Sequence, residues 1–339
     1  QVAITGSSGK TSLKELLGQC LQKNYSTTFS KNSFNNKFGL PISLINLNKD
    51  TTYGIFEIGM DKKGEIDFLS KILRPNLGII TNINYAHSKN FNDINGIAEA
   101  KSEIINNIIN GGSIILNKDD KFYNFLKQKS YKKKLDVYSF SLKDKSSYSN
   151  LKKIVKVDNK FKIIFSIGSK EYYYYSYDNS QNHIQNLMAA LTAISLFFNL
   201  KYISKNIFLD FTVPNGRGDF SKLKINNKII NLIDESYNSN PLSLKTALTN
   251  FSNIKLKKNM KHVLLGDMLE LGKTSINHHK LVAKIINKLE VDKVHIYGKD
   301  IKKTYERLKK SKKGLILSNL SKINDLINKT LNYNDFLMI

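Results

Sequence analysis

The chain opens with a short apolar strand that runs directly into a glycine-containing loop and then into a helical pattern. Val2–Thr5 has the character of a buried strand, and apolar residues recur at helical spacing from Leu13 onward. The loop between them has the spacing GxxGKT and consists of Gly6, Ser7, Ser8, Gly9, Lys10, Thr11 and Ser12. In this layout backbone N–H groups and the lysine bind phosphate oxygens, and the threonine hydroxyl can ligate Mg²⁺. The pattern predicts that the loop binds a nucleotide; the alternative is an ordinary strand–helix turn with an exposed Lys10.

The two ends of the sequence point to a larger protein. Gln1, not methionine, stands one residue before the first strand, and residues 336–339 form a final apolar run. Strands at the end of a chain leave edges that have to be paired. We therefore expect the sequence to be a piece of a longer protein, cut at both ends.

Positive charge is the strongest compositional feature. The chain has 53 lysines and arginines against 28 aspartates and glutamates, which gives a formal net charge of +25. Such a charge is typical of nucleic-acid-binding proteins. However, the lysines are spread along the whole chain, and arginine occurs only at Arg74, Arg217 and Arg307. We interpret the lysines as solvated surface residues and expect no nucleic acid partner.

Hydropathy and cysteine content bear on the cellular compartment of the protein and on membrane insertion. The apolar runs are shorter than the roughly 18 residues of a membrane span. The single cysteine, Cys20, lies in an apolar helical pattern, and one cysteine excludes an internal disulfide. We expect a cytoplasmic protein without membrane insertion, and a monomer.

Alternating strand and helix patterns predict two α/β domains, residues 1–213 and 214–339. In the first, strands are predicted at 1–5, 53–58, 77–83 and 112–116, and helices at 10–22, 41–46, 64–73, 95–109 and 183–198. Short β-like runs over 135–178 predict an antiparallel extension of this mainly parallel sheet. After a turn-rich hinge at 214–219, a second series predicts a Rossmann-like domain. Its strands are 229–234, 261–266, 292–297 and 335–339, and its helices are 241–252, 275–288, 300–310 and 321–331.

Three polar residues stand out near the predicted strand ends. Glu57 ends its strand between apolar neighbours, where a carboxylate beside a phosphate loop binds Mg²⁺; the alternative is an acid facing solvent. His87 follows the next strand at the same sheet edge, although a lone histidine is more often a loop residue. Lys101 lies in a helix with an apolar face, and from the residues alone it is most simply a surface lysine.

The motifs follow one another in the order of a known enzyme family. After the loop, motifs lie at residues 57–60 with 64–66, at 74–75, at 82–83 with 86–87, and at 100–104. In the second half of the chain, motifs lie at residues 216–217, 234–241 and 266–272. This series resembles the Mur ligases. Its last two motifs, Asp-Glu-Ser-Tyr-Asn-Ser-Asn-Pro and Gly-Asp-Met-Leu-Glu-Leu-Gly, resemble the branch that adds D-alanyl-D-alanine. The resemblance covers nearly the whole chain.

The resemblance implies three domains, of which this chain holds a central ATPase domain and a C-terminal Rossmann-like domain. An N-terminal domain that grips a UDP-sugar is implied to be missing. The implied activity is an ATP-dependent ligase of peptidoglycan synthesis that forms an amide through an acyl phosphate. The implied substrates are UDP-N-acetylmuramoyl-tripeptide and D-alanyl-D-alanine, and the implied cofactors are ATP and two Mg²⁺ ions.

The resemblance also implies roles for individual residues. The implied metal ligands are Thr11, Glu57, His87 and Lys101, the last carbamylated by CO₂ in the family. The implied catalytic residues are Lys10, Lys101, His87 and Arg217, the last acting from the C-terminal domain, with a hinge salt bridge as its alternative. Further nucleotide contacts are implied for Asn182, Asn186, Arg217, and Asp234 or Glu235, with the choice between the two acids left open. The residues implied for the dipeptide are Asn238, Asn240 and Asp267, while His279 matches a family histidine of unassigned role.

Some positions depart from the family pattern, and two other functions stay open. Residues 61–63 stand where relatives often have Asn-His, Ser88 follows His87 where an acid is usual, and Asn182 stands where a histidine is usual. One alternative is a sister Mur ligase that adds the third residue, or a folylpolyglutamate-type synthase, which a screen of acceptors would distinguish. The other is a P-loop nucleic-acid-binding ATPase. Nucleic acid would stimulate its hydrolysis of ATP, and salt would weaken that stimulation.

Overall fold

The structure, a computed structural model, describes residues 1–85, 88–225, 227–256 and 258–339. The chain divides into two units, Gln1–Thr212 and Val213–Ile339. Within the described ranges, no helix is both long enough and apolar enough to cross a bilayer.

The first unit is built on one large sheet. Its strands are β1 (Val2–Thr5), β2 (Thr27–Phe29), β3 (Tyr53–Glu57), β4 (Leu77–Ile80), β5 (Ser113–Asn117), β6 (Asp136–Ser141), β7 (Ser149–Val157), β8 (Lys160–Ile167) and β9 (Lys170–Ser176). Their spatial order is β2-β3-β1-β4-β5-β6-β7-β8-β9. Pairing is parallel from β2 to β7 and antiparallel from β7 to β9. The mixed α/β fold with a mainly parallel sheet is therefore confirmed.

The antiparallel extension begins later than predicted. β6 pairs in parallel with β5 and with the first residues of β7, so the prediction that the whole of 135–178 is antiparallel was wrong. The reason is a helix at Tyr123–Lys132, which the sequence analysis did not predict and which forms the crossover between β5 and β6. Its apolar face is weak, since Leu126 is its one buried apolar side chain.

Helices cover both faces of this sheet. They are α1 (Lys10–Gln22), α2 (Gly39–Ile45), α3 (Glu65–Leu73), α4 (Ile94–Ser102), α5 (Tyr123–Lys132) and α6 (Gln181–Phe197), with 3₁₀ turns at Ser88–Asn90, Glu103–Asn107 and Leu200–Tyr202. Apolar residues of α1 and α6 form the core on one face, and those of α3 and α4 form the core on the other. Successive strand residues alternate between these two cores, as the period of a strand requires.

The second unit has the predicted Rossmann-like architecture. Its strands are β10 (Asp219–Ile225), β11 (Lys228–Asp234), β12 (Lys261–Leu265), β13 (Lys293–Tyr297), β14 (Lys313–Leu317) and β15 (Phe336–Met338). Its helices are α7 (Pro241–Asn253), α8 (Ser275–Ile286), α9 (Lys302–Glu306) and α10 (Leu320–Asp325), with shorter helical turns at Gly272–Thr274, Lys310–Lys312 and Leu326–Thr330. The strand order is β10-β11-β15-β12-β13-β14, and β10 is antiparallel to β11 while the other pairs are parallel. β10 and β14 were not predicted, and the helix predicted over 300–310 is shorter.

A chain of buried polar side chains crosses the sheet of the second unit. The main-chain N–H of Leu315 donates to His295 Nδ1 at 2.9 Å, which leaves the proton of a neutral His295 on Nε2. His295 Nε2 lies 3.1 Å from His262 Nδ1, and His262 Nε2 lies 3.4 Å from Asp335 Oδ2. Burial, followed by the charge of His262, lowers the pKa of His295 to about 4. Burial also lowers the pKa of His262, against the opposing effect of Asp335.

We expect the second unit to lose stability in mild acid. In the unfolded chain a histidine takes up its proton near pH 6.5, whereas folded His295 stays neutral down to about pH 4. Between these values the unfolded state binds more protons, so the free energy of unfolding falls as the pH falls, by up to about 3 kcal/mol. Denaturant unfolding followed by circular dichroism from pH 7 to pH 4 measures this. Burial also lowers the pKa of His183 in the first unit, so the wild type is compared with His295→Gln. The free energy of unfolding of this variant should depend less steeply on pH. An unchanged slope would contradict the assignment.

Candidate nucleotide-binding site

Two glycines shape the loop between β1 and α1. Gly6 has φ +145° and Gly9 has φ +81°, a region that favours glycine. A Cβ on Gly6 would also lie 1.9 Å from Thr81 Oγ1, so a side chain does not fit there. Gly9 precedes α1, which begins without a side-chain cap and has no acidic residue in its first turn. An uncapped helix N-terminus attracts anions, so this end of the loop fits a phosphate group.

The segment that follows β4 holds the loop in shape. The N–H of Ser7 donates to the carbonyl oxygen of Asn82 at 2.9 Å, and the N–H of Ser8 donates to Asn82 Oδ1 at 3.1 Å. Thr81 Oγ1 donates to the carbonyl oxygen of Ser8 at 2.6 Å, and Ser7 Oγ donates to that of Asn84 at 2.8 Å. These bonds fix residues 6–8 before any ligand arrives, which lowers the entropic cost of binding.

Thr11 and Glu57 meet beside the loop. Thr11 Oγ1 donates to Glu57 Oε2 at 2.6 Å, and Glu57 Oε1 accepts from Asn35 Nδ2 at 2.7 Å. Lys10 Nζ lies 4.0 Å from Glu57 Oε1, and Ser33 Oγ lies 3.2 Å from Thr11 Oγ1. Thr11 and Glu57 are 2% and 1% exposed, so the carboxylate is not the solvent-facing acid of the alternative interpretation.

This donor set fits Mg²⁺. A hydroxyl and a carboxylate are hard oxygen ligands, and Mg²⁺ in nucleotide sites binds one or two protein oxygens together with phosphate oxygens and water. Within the described ranges no group of three or more His, Cys, Asp and Glu side chains forms a cage of protein ligands for a metal. His87, the other predicted ligand at this sheet edge, lies outside the described residues.

Lys101 is buried against the loop. It is 1% exposed, and its Nζ donates to the carbonyl oxygen of Gly6 at 3.0 Å, the same oxygen that accepts from Lys10 Nζ at 3.1 Å. Interpreting Lys101 from the residues alone as a surface lysine was therefore wrong. The side chain reaches from α4 to the loop after β1, a contact between residues 95 positions apart that no local pattern reveals.

The surroundings of Lys101 favour a neutral amine. Burial first, and then the positive charge of Lys10, lower the pKa of Lys101 well below its ordinary value, while the carboxylate of Glu57 opposes the shift. A buried ammonium loses its hydration, so the uncharged form is favoured in such a place. A neutral amine is a nucleophile, so Lys101 can react with an electrophile such as CO₂.

Two residues that were not predicted hold the segment that follows β4. Asp120 Oδ2 accepts from the N–H of Ile83 at 2.7 Å, and its Oδ1 accepts from the N–H of Phe122 at 2.8 Å. Asn117 Nδ2 donates to the carbonyl oxygen of Thr81 at 3.0 Å. Burial raises the pKa of Asp120. Asn117 ends β5 and Asp120 follows it at the carboxyl edge of the sheet. The polar run 117–120 at the end of a buried strand was the signal that could have identified them.

The first turns of α6 bring one of the two predicted asparagines to the loop. Asn186 Oδ1 lies 3.1 Å from the position that a Cβ on Gly9 would occupy, so this side chain lines the loop. Asn182 is exposed one turn earlier. Between them His183 is buried, with Nε2 at 2.9 Å from Ser176 Oγ, which ties α6 to the end of β9.

In the second unit, the residues predicted for the nucleotide gather where β10 begins and β11 ends. The guanidinium of Arg217 lies 4.1 Å from the centre of the Tyr237 ring, a cation–π contact. The N–H of Gly218 donates to the carbonyl oxygen of Asp234 at 2.7 Å, and a Cβ on Gly218 would lie 3.1 Å from Glu235 Oε1. Arg217, Asp234 and Glu235 therefore occupy one corner of this unit.

The residues predicted for the dipeptide lie in different surroundings. Asn238 is exposed. Asn240 begins α7, where its Oδ1 accepts from the N–H groups of Leu242 and Ser243 at 3.0 and 2.9 Å, so that oxygen caps the helix. Asp267 accepts from the N–H groups of Lys299 and Ile301 at 2.9 and 2.7 Å and so joins the loops after β12 and β13.

His279 has a structural contact that the sequence analysis could not derive. Its side chain is fully buried in α8, and its Nε2 accepts from the N–H of Met268 at 3.0 Å. Its Nδ1 lies 2.8 Å from the carbonyl oxygen of Ser275, which fixes the proton on Nδ1. The imidazole therefore holds the loop 266–272 on the helix.

Two family models match the chain. The model described as Mur ligase middle domain matches residues 4–194, and the model described as Mur ligase, glutamate ligase domain, matches residues 220–339.

Individual relatives agree with these matches. The chain is 33% identical over 301 residues, 88% of its length, to a protein of Buchnera aphidicola subsp. Baizongia pistaciae named UDP-N-acetylmuramoyl-tripeptide–D-alanyl-D-alanine ligase. It is 31% identical over its full length to the protein of that name from Rickettsia prowazekii. It spans 63% of the Buchnera protein and 74% of the Rickettsia protein. Among solved structures, MurF from Acinetobacter baumannii is similar over 99% of this chain and 72% of its own, with a TM-score of 0.86 and 27% identity.

Proposed function

We propose that this chain, which belongs to the Mur ligase family, carries the nucleotide-binding and C-terminal parts of an ATP-dependent D-alanyl-D-alanine-adding ligase. The observation that carries the proposal is the convergence of Thr11, Glu57 and Lys101 on the loop at 6–12. The proposed substrates, the acyl donor UDP-N-acetylmuramoyl-tripeptide and the acceptor D-alanyl-D-alanine, follow the name of the relatives. Since the chain spans 63% of the Buchnera relative, we propose the substrates for the full-length protein.

The first proposed step is phosphoryl transfer. An oxygen of the tripeptide's terminal carboxylate attacks the γ-phosphorus of ATP, the bond to the bridging oxygen breaks, and ADP leaves as the acyl phosphate forms. Lys10 and the N-terminus of α1 stabilise the negative charge of the phosphate oxygens. Thr11 and Glu57 would hold Mg²⁺, which when bound offsets further charge.

The second proposed step forms the amide. The amine of D-alanyl-D-alanine attacks the acyl carbon, the carbon–oxygen bond to phosphate breaks, and inorganic phosphate leaves with release of one proton from the nitrogen. Residues Asn238, Asn240 and Asp267 remain our proposal for the dipeptide side. For binding the nucleotide, we propose Arg217 with Asp234 or Glu235, and Asn182 with Asn186.

We further propose that Lys101 is carbamylated. Its neutral nitrogen attacks CO₂ and releases one proton, which converts the uncharged amine into an anionic carbamate that can act as an oxygen donor. The lowered pKa of Lys101 supports this reaction because the uncharged amine is the reactive form. With His87, the carbamate oxygens would hold a second Mg²⁺.

A paired-substrate assay tests the proposed function. In the native full-length protein with Mg²⁺-ATP, we expect phosphate release when UDP-N-acetylmuramoyl-tripeptide and D-alanyl-D-alanine are both present, and background release when either is omitted. Both the acyl phosphate and its acceptor are needed for turnover, which explains the double requirement. Release with a single amino acid in place of the dipeptide would instead identify a sister ligase. Release stimulated by DNA or RNA without either substrate would identify a nucleic-acid-dependent ATPase.

A further inference from the structure

Lys14 is a buried cation that the proposed reaction does not use. It lies on α1 one turn after Lys10 and is completely buried. Its Nζ donates to the carbonyl oxygen of Ser30 and, at 2.6 Å, to that of Asn32, and it pairs with Glu15 Oε1 at 2.7 Å. A buried ammonium is retained where such bonds replace its hydration. Lys14 thus fixes the start of the segment that follows β2.

The segment held by Lys14 leads directly to Glu57. Three residues after Asn32, the carbonyl oxygen of Asn35 accepts from the N–H of Gly59 at 2.8 Å, and Asn35 Nδ2 donates to Glu57 Oε1 at 2.7 Å. A Cβ on Gly59 would lie 2.9 Å from Asn35 Cγ, so the absence of a side chain at position 59 makes room for the asparagine. The amide of Asn35 is therefore held at the Glu57 carboxylate by two supports: the Lys14 contacts earlier in the segment and the Gly59 hydrogen bond to its own main chain.

We propose that Asn35 is a positioning residue that orients the Glu57 carboxylate for Mg²⁺, with Lys14 as the support of its loop; this inference rests on the proposed function. Thr11 binds one carboxylate oxygen of Glu57 and Asn35 binds the other, so the two hydrogen bonds together fix the plane of the group. Mg²⁺ demands near-ideal octahedral geometry, so its affinity depends on that orientation. An amide is neutral, so it fixes the carboxylate without offsetting the charge that attracts the cation.

The test separates metal affinity from nucleotide affinity without turnover. Binding of a fluorescent ADP analogue to the chain is titrated with Mg²⁺ for the wild type, for Asn35→Ala and for the exposed control Asn24→Ala. Because partners that orient metal ligands contribute to metal affinity, we expect Asn35→Ala to need about 10- to 100-fold more Mg²⁺ for half-maximal binding. Without Mg²⁺, Asn35→Ala should bind the analogue with the affinity of the wild type. Asn24→Ala should match the wild type with and without Mg²⁺.

A second variant tests the support. Lys14→Met removes the ammonium from the two carbonyl oxygens and should shift the Mg²⁺ requirement in the same direction as Asn35→Ala. Should Lys14→Met fail to fold, Asn35→Ala decides the matter, since its side chain is only partly buried. Equal Mg²⁺ requirements for Asn35→Ala and the wild type would overturn this inference and leave the proposed function standing. Mg²⁺-independent binding by the wild type would overturn both.

Discussion

Replacing Lys101 by methionine is expected to lower ligase turnover by about a thousandfold, the scale found when one group that stabilises transition-state charge is removed. Methionine has a similar length and suits a position that is 1% exposed, so the fold should be retained. The carbonyl oxygen of Gly6 keeps its bond from Lys10 at 3.1 Å. What is lost is the amine and, with it, the anionic donor that the proposed carbamylation would create. Phosphate release in the paired-substrate assay, together with the melting temperature, measures both effects.

The matched control for this change is Lys71→Met, at an exposed position of α3. It makes the same substitution in the first unit without touching the loop, and its turnover should equal that of the wild type. If Lys101→Met kept wild-type turnover, the buried amine would have no part in the reaction. If both variants lost turnover equally, the effect would not be specific to the buried amine.

Glu57→Gln is expected to abolish the Mg²⁺ dependence of nucleotide binding and to lower turnover by about a thousandfold. Glutamine has the shape of glutamate and still accepts from Thr11, so the strand end should keep its structure. The negative charge disappears, however, and Lys10 Nζ at 4.0 Å then lies beside a neutral group. The site would hold a cation poorly because its remaining protein oxygens, the Thr11 hydroxyl and the glutamine amide, are uncharged. Calorimetric titration of ADP with and without Mg²⁺ measures the change.

The control for the second change is Glu171→Gln on the exposed end of β9. It makes the same chemical change far along the sheet from β3, and Mg²⁺-dependent binding should persist. Retention of wild-type Mg²⁺ dependence in Glu57→Gln would mean that the cation is held by other groups and would remove Glu57 from the site.

The parts of the site that could be predicted from the sequence depend on local patterns. The opening strand, loop and helix lie within 22 residues, and α1 has the predicted bounds Lys10–Gln22. Glu57 was identifiable because an acid among apolar strand residues needs a partner, and its place at the end of β3 follows from the alternation of strands and helices.

The parts that could not be predicted depend on contacts between distant segments. The burial of Lys101 arises from the loop carbonyl of Gly6, and the contact of Asn35 with Glu57 depends on β2, a strand of three residues that carries too little pattern to be recognised. Asn240 shows the opposite situation. Asparagine before proline at the start of a helical pattern indicates a cap, a local signal that the family resemblance obscured.

The central claim is our proposal that Lys101 is carbamylated and holds a metal beside the nucleotide, next to the metal that Thr11 and Glu57 hold. The native full-length protein, incubated with ¹³C-bicarbonate and Mg²⁺-ADP, is predicted to show a carbamate carbon resonance that is absent from Lys101→Met. Replacing Mg²⁺ by paramagnetic Mn²⁺ should broaden this resonance beyond detection in the wild type. A wild-type resonance that stays sharp with Mn²⁺-ADP bound, or one that persists in Lys101→Met, would contradict the account.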